Sequence, residues 1–170
     1  MIRTFSGMTP KLAPTAFVSE TAYVIGDVEI GENSSIWPGA VIRGDFASIK
    51  IGNESQIEDN CVVHAARPMV IGDRVQIGHG AVIHCSRIGN NVLIGSNATI
   101  LPGAEIGDSC LIAANSLVGS EMKIPNDSLV VGIPAEVKGK VTPAQVARIQ
   151  VGIEAYLTTT QQYKQQGLGY

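Results

Sequence analysis

Residues 88–130 read IGNNVLIGSNATILPGAEIGDSCLIAANSLVGSEMKIPNDSLV, and an aliphatic residue returns there at every sixth position: Ile88, Ile94, Ile100, Ile106, Ile112, Val118, Ile124 and Val130. A period of six is neither the 3.6 of a helix nor the alternation of a simple meander. It suits a three-sided prism in which each side takes one hexapeptide and each full coil takes three, a hexapeptide-type β-helix.

The same column continues toward the N-terminus through Val18, Val24, Ile30, Ile36 and Ile42, then Ile51, Ile57 and Val63, then Ile71, Ile77 and Ile83. Two positions earlier the chain usually carries something small, as at Ala16, Ala22, Ser34, Ala40, Ser55, Cys61, Ala81, Ala98, Ala104, Cys110 and Ser116, so large and small residues alternate along an inward column. Ile-Gly followed by Asn, Asp or Glu marks the first side of five successive coils, at Ile30, Ile51, Ile71, Ile88 and Ile106. The spacing breaks in three places: Ile42 to Ile51 has three extra residues, Val63 to Ile71 two extra, and Ile83 to Ile88 one fewer. All follow the third side. Departures confined to one corner are what a site built at that corner requires.

Composition agrees with this architecture. Of 170 residues, 45% are hydrophobic but only 5% aromatic, and 19 are glycine, which points to short strands of Ile, Val and Ala joined by tight turns. A net charge of -3 without a basic cluster argues against a nucleic-acid surface. The N-terminal stretch has no apolar h-region and no run is long enough to span a bilayer, so we expect a soluble, cytoplasmic protein without a membrane partner. Three cysteines without CxxC spacing argue against a disulfide framework or a thiolate metal site. Cys61 and Cys110 fall on inward positions and read as inert core, and Cys85, beside His84, reads as packing. Trp37 reads as a lone exposed or interfacial aromatic.

The repeat ends after Val130, and we expect a β-helix domain over residues 1–139, with a short N-terminal lead-in, and a helix and tail over residues 140–170. Thr142 followed by Pro143 reads as an N-cap with proline at the first helical position. Val146, Ile149, Ile153, Tyr156 and Leu157 form an apolar stripe, with Tyr163 a heptad beyond Tyr156. Gly152 lowers the helix's intrinsic stability, so packing must hold it.

The chain has three histidines, His64, His79 and His84. Three imidazoles with an open fourth position make a catalytic zinc arrangement. His64 follows Val63 and His84 follows Ile83, equivalent places on the third side of successive coils, and Arg43 shares their column. His79 follows the second side, in the column that carries Asp59 one coil earlier. One prism therefore aims His79 away from the other two rings, and a cyclic oligomer, a homotrimer with interfacial metals, is the arrangement that reunites them.

The stretches AFVSETAYVIGDVEIG, SSIWPGAVIRGDF, SQIEDNCVVH, IGHGAVIH and SLVVGIPAEV, with the terminal helix, make the chain resemble the gamma-class carbonic anhydrase and carbonic anhydrase-like family, left-handed β-helix trimers of the hexapeptide-repeat superfamily. The resemblance implies left-handedness, His64 and His84 from one subunit with His79 from the next, and an intersubunit ion pair between Arg43 and Asp59. It also implies Asp45 close by and Tyr156 at the pocket. The implied activity is that of a carbonate hydro-lyase interconverting carbon dioxide and bicarbonate. Zinc held by three imidazoles lowers the pKa of water to about 7, and iron or cobalt also suits imidazole. Arg43 fits the structural pair or the binding of bicarbonate.

Two departures from the family pattern bear on rate. Glu58, in Gln56-Ile57-Glu58-Asp59, stands where the family commonly has a glutamine, so an acceptor-only carboxylate replaces an amide donor. The segment Ala65 to Met69 is short and has no acidic residue, and Phe46 follows Asp45. Proton transfer would fall to Glu58 or to buffer, and we expect slow or conditional hydration. The competing readings are a non-catalytic metal-binding trimer and an acyl-CoA-linked transferase or thioesterase on the same scaffold.

Overall fold

The computed structural model describes residues 1–170. Most hexapeptides, though not those at the irregular corner after the third face, form the same local unit, two extended residues ending on the aliphatic one and a turn closed three places later by a left-handed residue. Asn33, Asn60, Asn91, Asn97 and Asn115 hold this position with φ between 55° and 59°. Asparagine recurs there because its short polar side chain tolerates a conformation that crowds most Cβ atoms.

Stacking these units produces a left-handed parallel β-helix with three faces. The first face pairs Leu12 with Ile30, then Ile30 with Ile51, and continues through Ile71, Ile88 and Ile106 to Ile124. The second runs from Val18 and Ile36 through Ile57, Ile77, Ile94 and Ile112 to Val130. The third carries Val24, Ile42, Val63, Ile83, Ile100 and Val118. Their side chains fill the prism, and Ile36, Ile42, Ile57, Ile77, Ile83 and Ile94 have no exposed surface.

Two features depart from a prism of short strands. Tyr23–Ile30 and Val41–Ile51 are continuous strands that bend through the corner between the third face and the first. Their pairing passes from Gly26 with Gly44 to Val28 with Ile49, so residues 45–48 bulge, with Phe46 75% exposed and Ala47 packed against the core. The three extra residues between Ile42 and Ile51 thus form a bulge in a strand rather than a separate loop.

The Ile-Gly-Asx pattern has a structural cause. The backbone N–H of Asn53 donates to Asp73, that of Asp73 to Asn90, that of Asn90 to Asp108 and that of Asp108 to Asn126, at 2.7–2.9 Å. Glycine precedes each because the coils approach closely there: a Cβ on Gly72 would lie 2.7 Å from the Gly89 carbonyl oxygen. The ladder satisfies turn donors that no strand can reach.

Ala135–Lys140 pairs antiparallel with Ser128–Gly132 and closes the second face. The helix Pro143–Gln165 follows, with Thr142 and Gln145 forming a reciprocal capping box. It lies on the second face of its own prism and buries Ile149, Ile153 and Thr160, whereas Val146 is 40% exposed. No helix is long and apolar enough to cross a membrane.

Candidate metal centre

The third face carries one half of the expected site. Val63 and Ile83 pair across adjacent rungs, so the residues that follow them project together: the His64 and His84 rings have centroids 5.1 Å apart and meet edge to face. His64 Nε2 lies 3.1 Å from Asp45 Oδ1, and the other Asp45 oxygen accepts from Arg43 Nη1 at 2.5 Å. Burial, and then the Arg43 guanidinium, holds the His64 pKa below the ordinary imidazole range, against the opposing pull of Asp45. The Phe46 ring, 5.2 Å from that of His64, covers one side of it.

The second face carries the other half. The turn after Ile57 presents Glu58 and Asp59, and the turn after Ile77, one coil on, presents His79. Asp59 Oδ2 lies 2.9 Å from His79 Nδ1, and Glu58 Oε2 lies 3.0 Å from His79 Nε2. Glu58 is only 3% exposed, and its partners account for that burial: Gln76 Nε2 donates to Oε1 at 2.7 Å and the His79 backbone N–H donates to Oε2 at 3.1 Å. The Tyr156 hydroxyl on the overlying helix lies close enough to feel the Glu58 charge. Burial, and then the Glu58 charge, pushes the Tyr156 phenol well above its usual range, so it keeps its proton.

The donor set fits a divalent transition metal. His64 is biased toward neutral imidazole, and His84 Nδ1 is buried without a hydrogen-bond partner. Asp59 orients the His79 ring from Nδ1, the usual outer-sphere support of a metal-bound histidine, while Nε2 meets Glu58 Oε2 at 3.0 Å, a contact that a metal at Nε2 would replace. Yet one chain gathers no group of three or more His, Cys, Asp or Glu side chains around a common point. His64 and His84 come together; His79 stands on the other face with Glu58 and Asp59.

The remaining expected residues have the following surroundings. Within the chain Arg43 pairs with Asp45, not Asp59, whose nearest ionic partner is His79. Trp37 is neither lone nor exposed: at 4% exposure it packs against Phe17, Tyr156 and Tyr163, with centroids 5.0–5.7 Å away, because the helix docks on the second face of its own chain. Cys85 turns into the core, and burial pushes its thiol up to about 12; burial does the same to Cys61. Gln76 was not singled out by the sequence, although its pairing with Gln56 on the preceding rung marks it as a polar residue in the column leading to the site.

Comparison with known proteins separates coil from site. The family model described as "Bacterial transferase hexapeptide (six repeats)" matches residues 10–44 and 85–120, two stretches of coil that leave all three histidines between them. A hexapeptide transferase family protein from Anaplasma phagocytophilum superimposes with a TM-score of 0.92 at 34% identity, over 96% of this chain and 98% of that one. "Gamma carbonic anhydrase 2, mitochondrial" of Arabidopsis thaliana is 37% identical over 90% of this chain, which spans 58% of that relative's length. The "Probable carbonic anhydrase" of Methanocaldococcus jannaschii is 49% identical over 86% of this chain and 96% of its own length. With identity at that level across nearly a whole relative, the chain belongs to the gamma carbonic anhydrase family.

Proposed function

We propose that the protein hydrates carbon dioxide to bicarbonate, and reverses that reaction, at metal centres between the subunits of a homotrimer. His64 and His84 of one subunit and His79 of the next hold the ion. The observation that carries this reading is the division of the three imidazoles between two faces, each half with its own orienting carboxylate, Asp45 beside His64 and Asp59 on His79. Zinc, with iron or cobalt as alternatives, supplies a Lewis acid that makes hydroxide available from water near neutral pH.

The chain's own groups do the rest. Asp59 orients the His79 ring from its Nδ1 side, and Asp45 positions both His64 and Arg43. Only one guanidinium N–H of Arg43 is engaged, and its side chain is 41% exposed, so the remaining fork is free for a carboxylate across an interface or for bicarbonate. Glu58 is an acceptor set beside His79, with the Tyr156 phenol nearby on the helix. Glu58 is therefore the residue placed to take a proton, with buffer as the outlet to solvent.

Metal analysis of the purified protein together with stopped-flow hydration by wild type and Glu58→Gln tests this. One metal per subunit with measurable hydration supports the reading; a slower Glu58→Gln variant supports Glu58 as the proton acceptor, and a faster one contradicts that role and makes it a brake on turnover. Full metal occupancy with background hydration, persisting after reactivation by reductant, supports a metal-binding trimer without this activity. Acyl transfer that survives loss of metal and of His79 supports the transferase.

A further inference from the structure

The helix Pro143–Gln165 carries a glycine in its middle, at Gly152, where any other residue but proline would be a better helix former. The prism beneath explains it. A Cβ at residue 152 would lie 2.6 Å from Gln76 Oε1 and 3.4 Å from both Cδ and Nε2 of the same amide. The obstructing group is the end of a flexible side chain, so alanine would displace the amide rather than prevent the helix from docking.

That amide has one visible task. Gln76 Nε2 donates to Glu58 Oε1 at 2.7 Å, which leaves Oε2 turned toward the His79 backbone N–H at 3.1 Å and His79 Nε2 at 3.0 Å. Gln56, paired with Gln76 one rung earlier, does not bond Glu58; its Nε2 turns instead to the Glu54 carbonyl oxygen. The carboxylate plane thus depends on a contact that exists because residue 152 has no side chain.

We propose that Gln76, given room by Gly152, is a positioning residue for Glu58, setting which carboxylate oxygen faces His79 and restoring an amide donor beside a site where the family's usual glutamine is missing. The proposal rests on the carbonic anhydrase reading for its catalytic consequence. Its structural content stands on the hydrogen bond alone.

The test uses the metal-loaded, full-length protein as Gly152→Ala, Gln76→Ala and Gln76→Glu, each also combined with Glu58→Gln. Readouts are thermal midpoint, metal content, kcat and KM across pH, and the NMR shift of the Gln76 side-chain amide. We expect Gly152→Ala to keep its metal and an equal or higher midpoint, with a shifted Gln76 amide resonance and kcat lowered about 10-fold at unchanged KM, the lower end of what loss of outer-sphere support costs. Gln76→Ala should reproduce the loss, Gln76→Glu should move the pH profile, and both effects should vanish once Glu58 is Gln. Unchanged kcat and pH profiles in Gly152→Ala and Gln76→Ala overturn the proposal, as does a Gln76 amide resonance indifferent to Glu58→Ala. Absence of hydration in wild type sinks the catalytic reading instead, and the amide resonance still decides the positioning.

Discussion

His79 Nδ1 lies 2.9 Å from Asp59 Oδ2, one rung below it on the second face, so the third imidazole is oriented by its own chain before any neighbour approaches. The His64 and His84 pair, with centroids 5.1 Å apart on the third face, is likewise complete without it. The proposed trimeric site would join two finished halves.

Asp59→Asn keeps the shape at His79 but removes the carboxylate charge that supports its ring at Nδ1. Metal affinity should fall about 10- to 100-fold with the fold intact, the usual cost of losing an outer-sphere partner. Competition titration against a chromophoric chelator measures this, and an unchanged affinity would show that Asp59 serves only the interface.

The core should be unforgiving of truncation. Ile94 has no exposed surface and stacks between Ile77 and Ile112 on the second face. Ile94→Ala should destabilise by about 2–5 kcal/mol, since rigid rungs collapse poorly around a cavity. Denaturant unfolding at fixed protein concentration checks it, and a loss well under 1 kcal/mol would mean that the coils relax.

The cysteines give a pH dependence remote from the imidazoles. Burial raises the folded pKa of Cys61 and of Cys85 from 9.0 to about 12. Between those values the unfolded thiols lose protons that the folded ones keep, so the unfolded state binds fewer protons and stability falls as pH rises. Unfolding free energy should therefore decline from pH 9 toward pH 11, and less so in a Cys61→Ala, Cys85→Ala protein. Native thiols should also resist iodoacetamide at pH 8; rapid labelling without unfolding would contradict their burial.

What could be read from the sequence follows from what repeats. The inward Ile and Val positions are periodic because three faces must each bury one residue per rung, and that register alone separates His79 from His64 and His84. The surroundings of Trp37 were illegible because they depend on where a non-repeating helix docks. The Gln76 contact with Glu58 shares that origin, since Gly152 shows its purpose only against the prism. Arg43 is a further case: its column could be read, but its pairing with Asp45 arises from a bulge whose path the spacing marks without specifying.

The central claim is that each metal centre takes residues from two chains. Protein carrying His79→Ala and protein carrying His64→Ala should each lack metal and hydration activity alone. After co-refolding in equal amounts, a site is whole when a His79→Ala subunit, supplying His64 and His84, precedes a His64→Ala subunit, supplying His79. For random closed trimers this occurs at about one site in four, so metal content and activity should recover to about a quarter of wild type. No recovery in mixtures shown by mass spectrometry to contain mixed trimers would contradict the shared site and return all three ligands to a single chain.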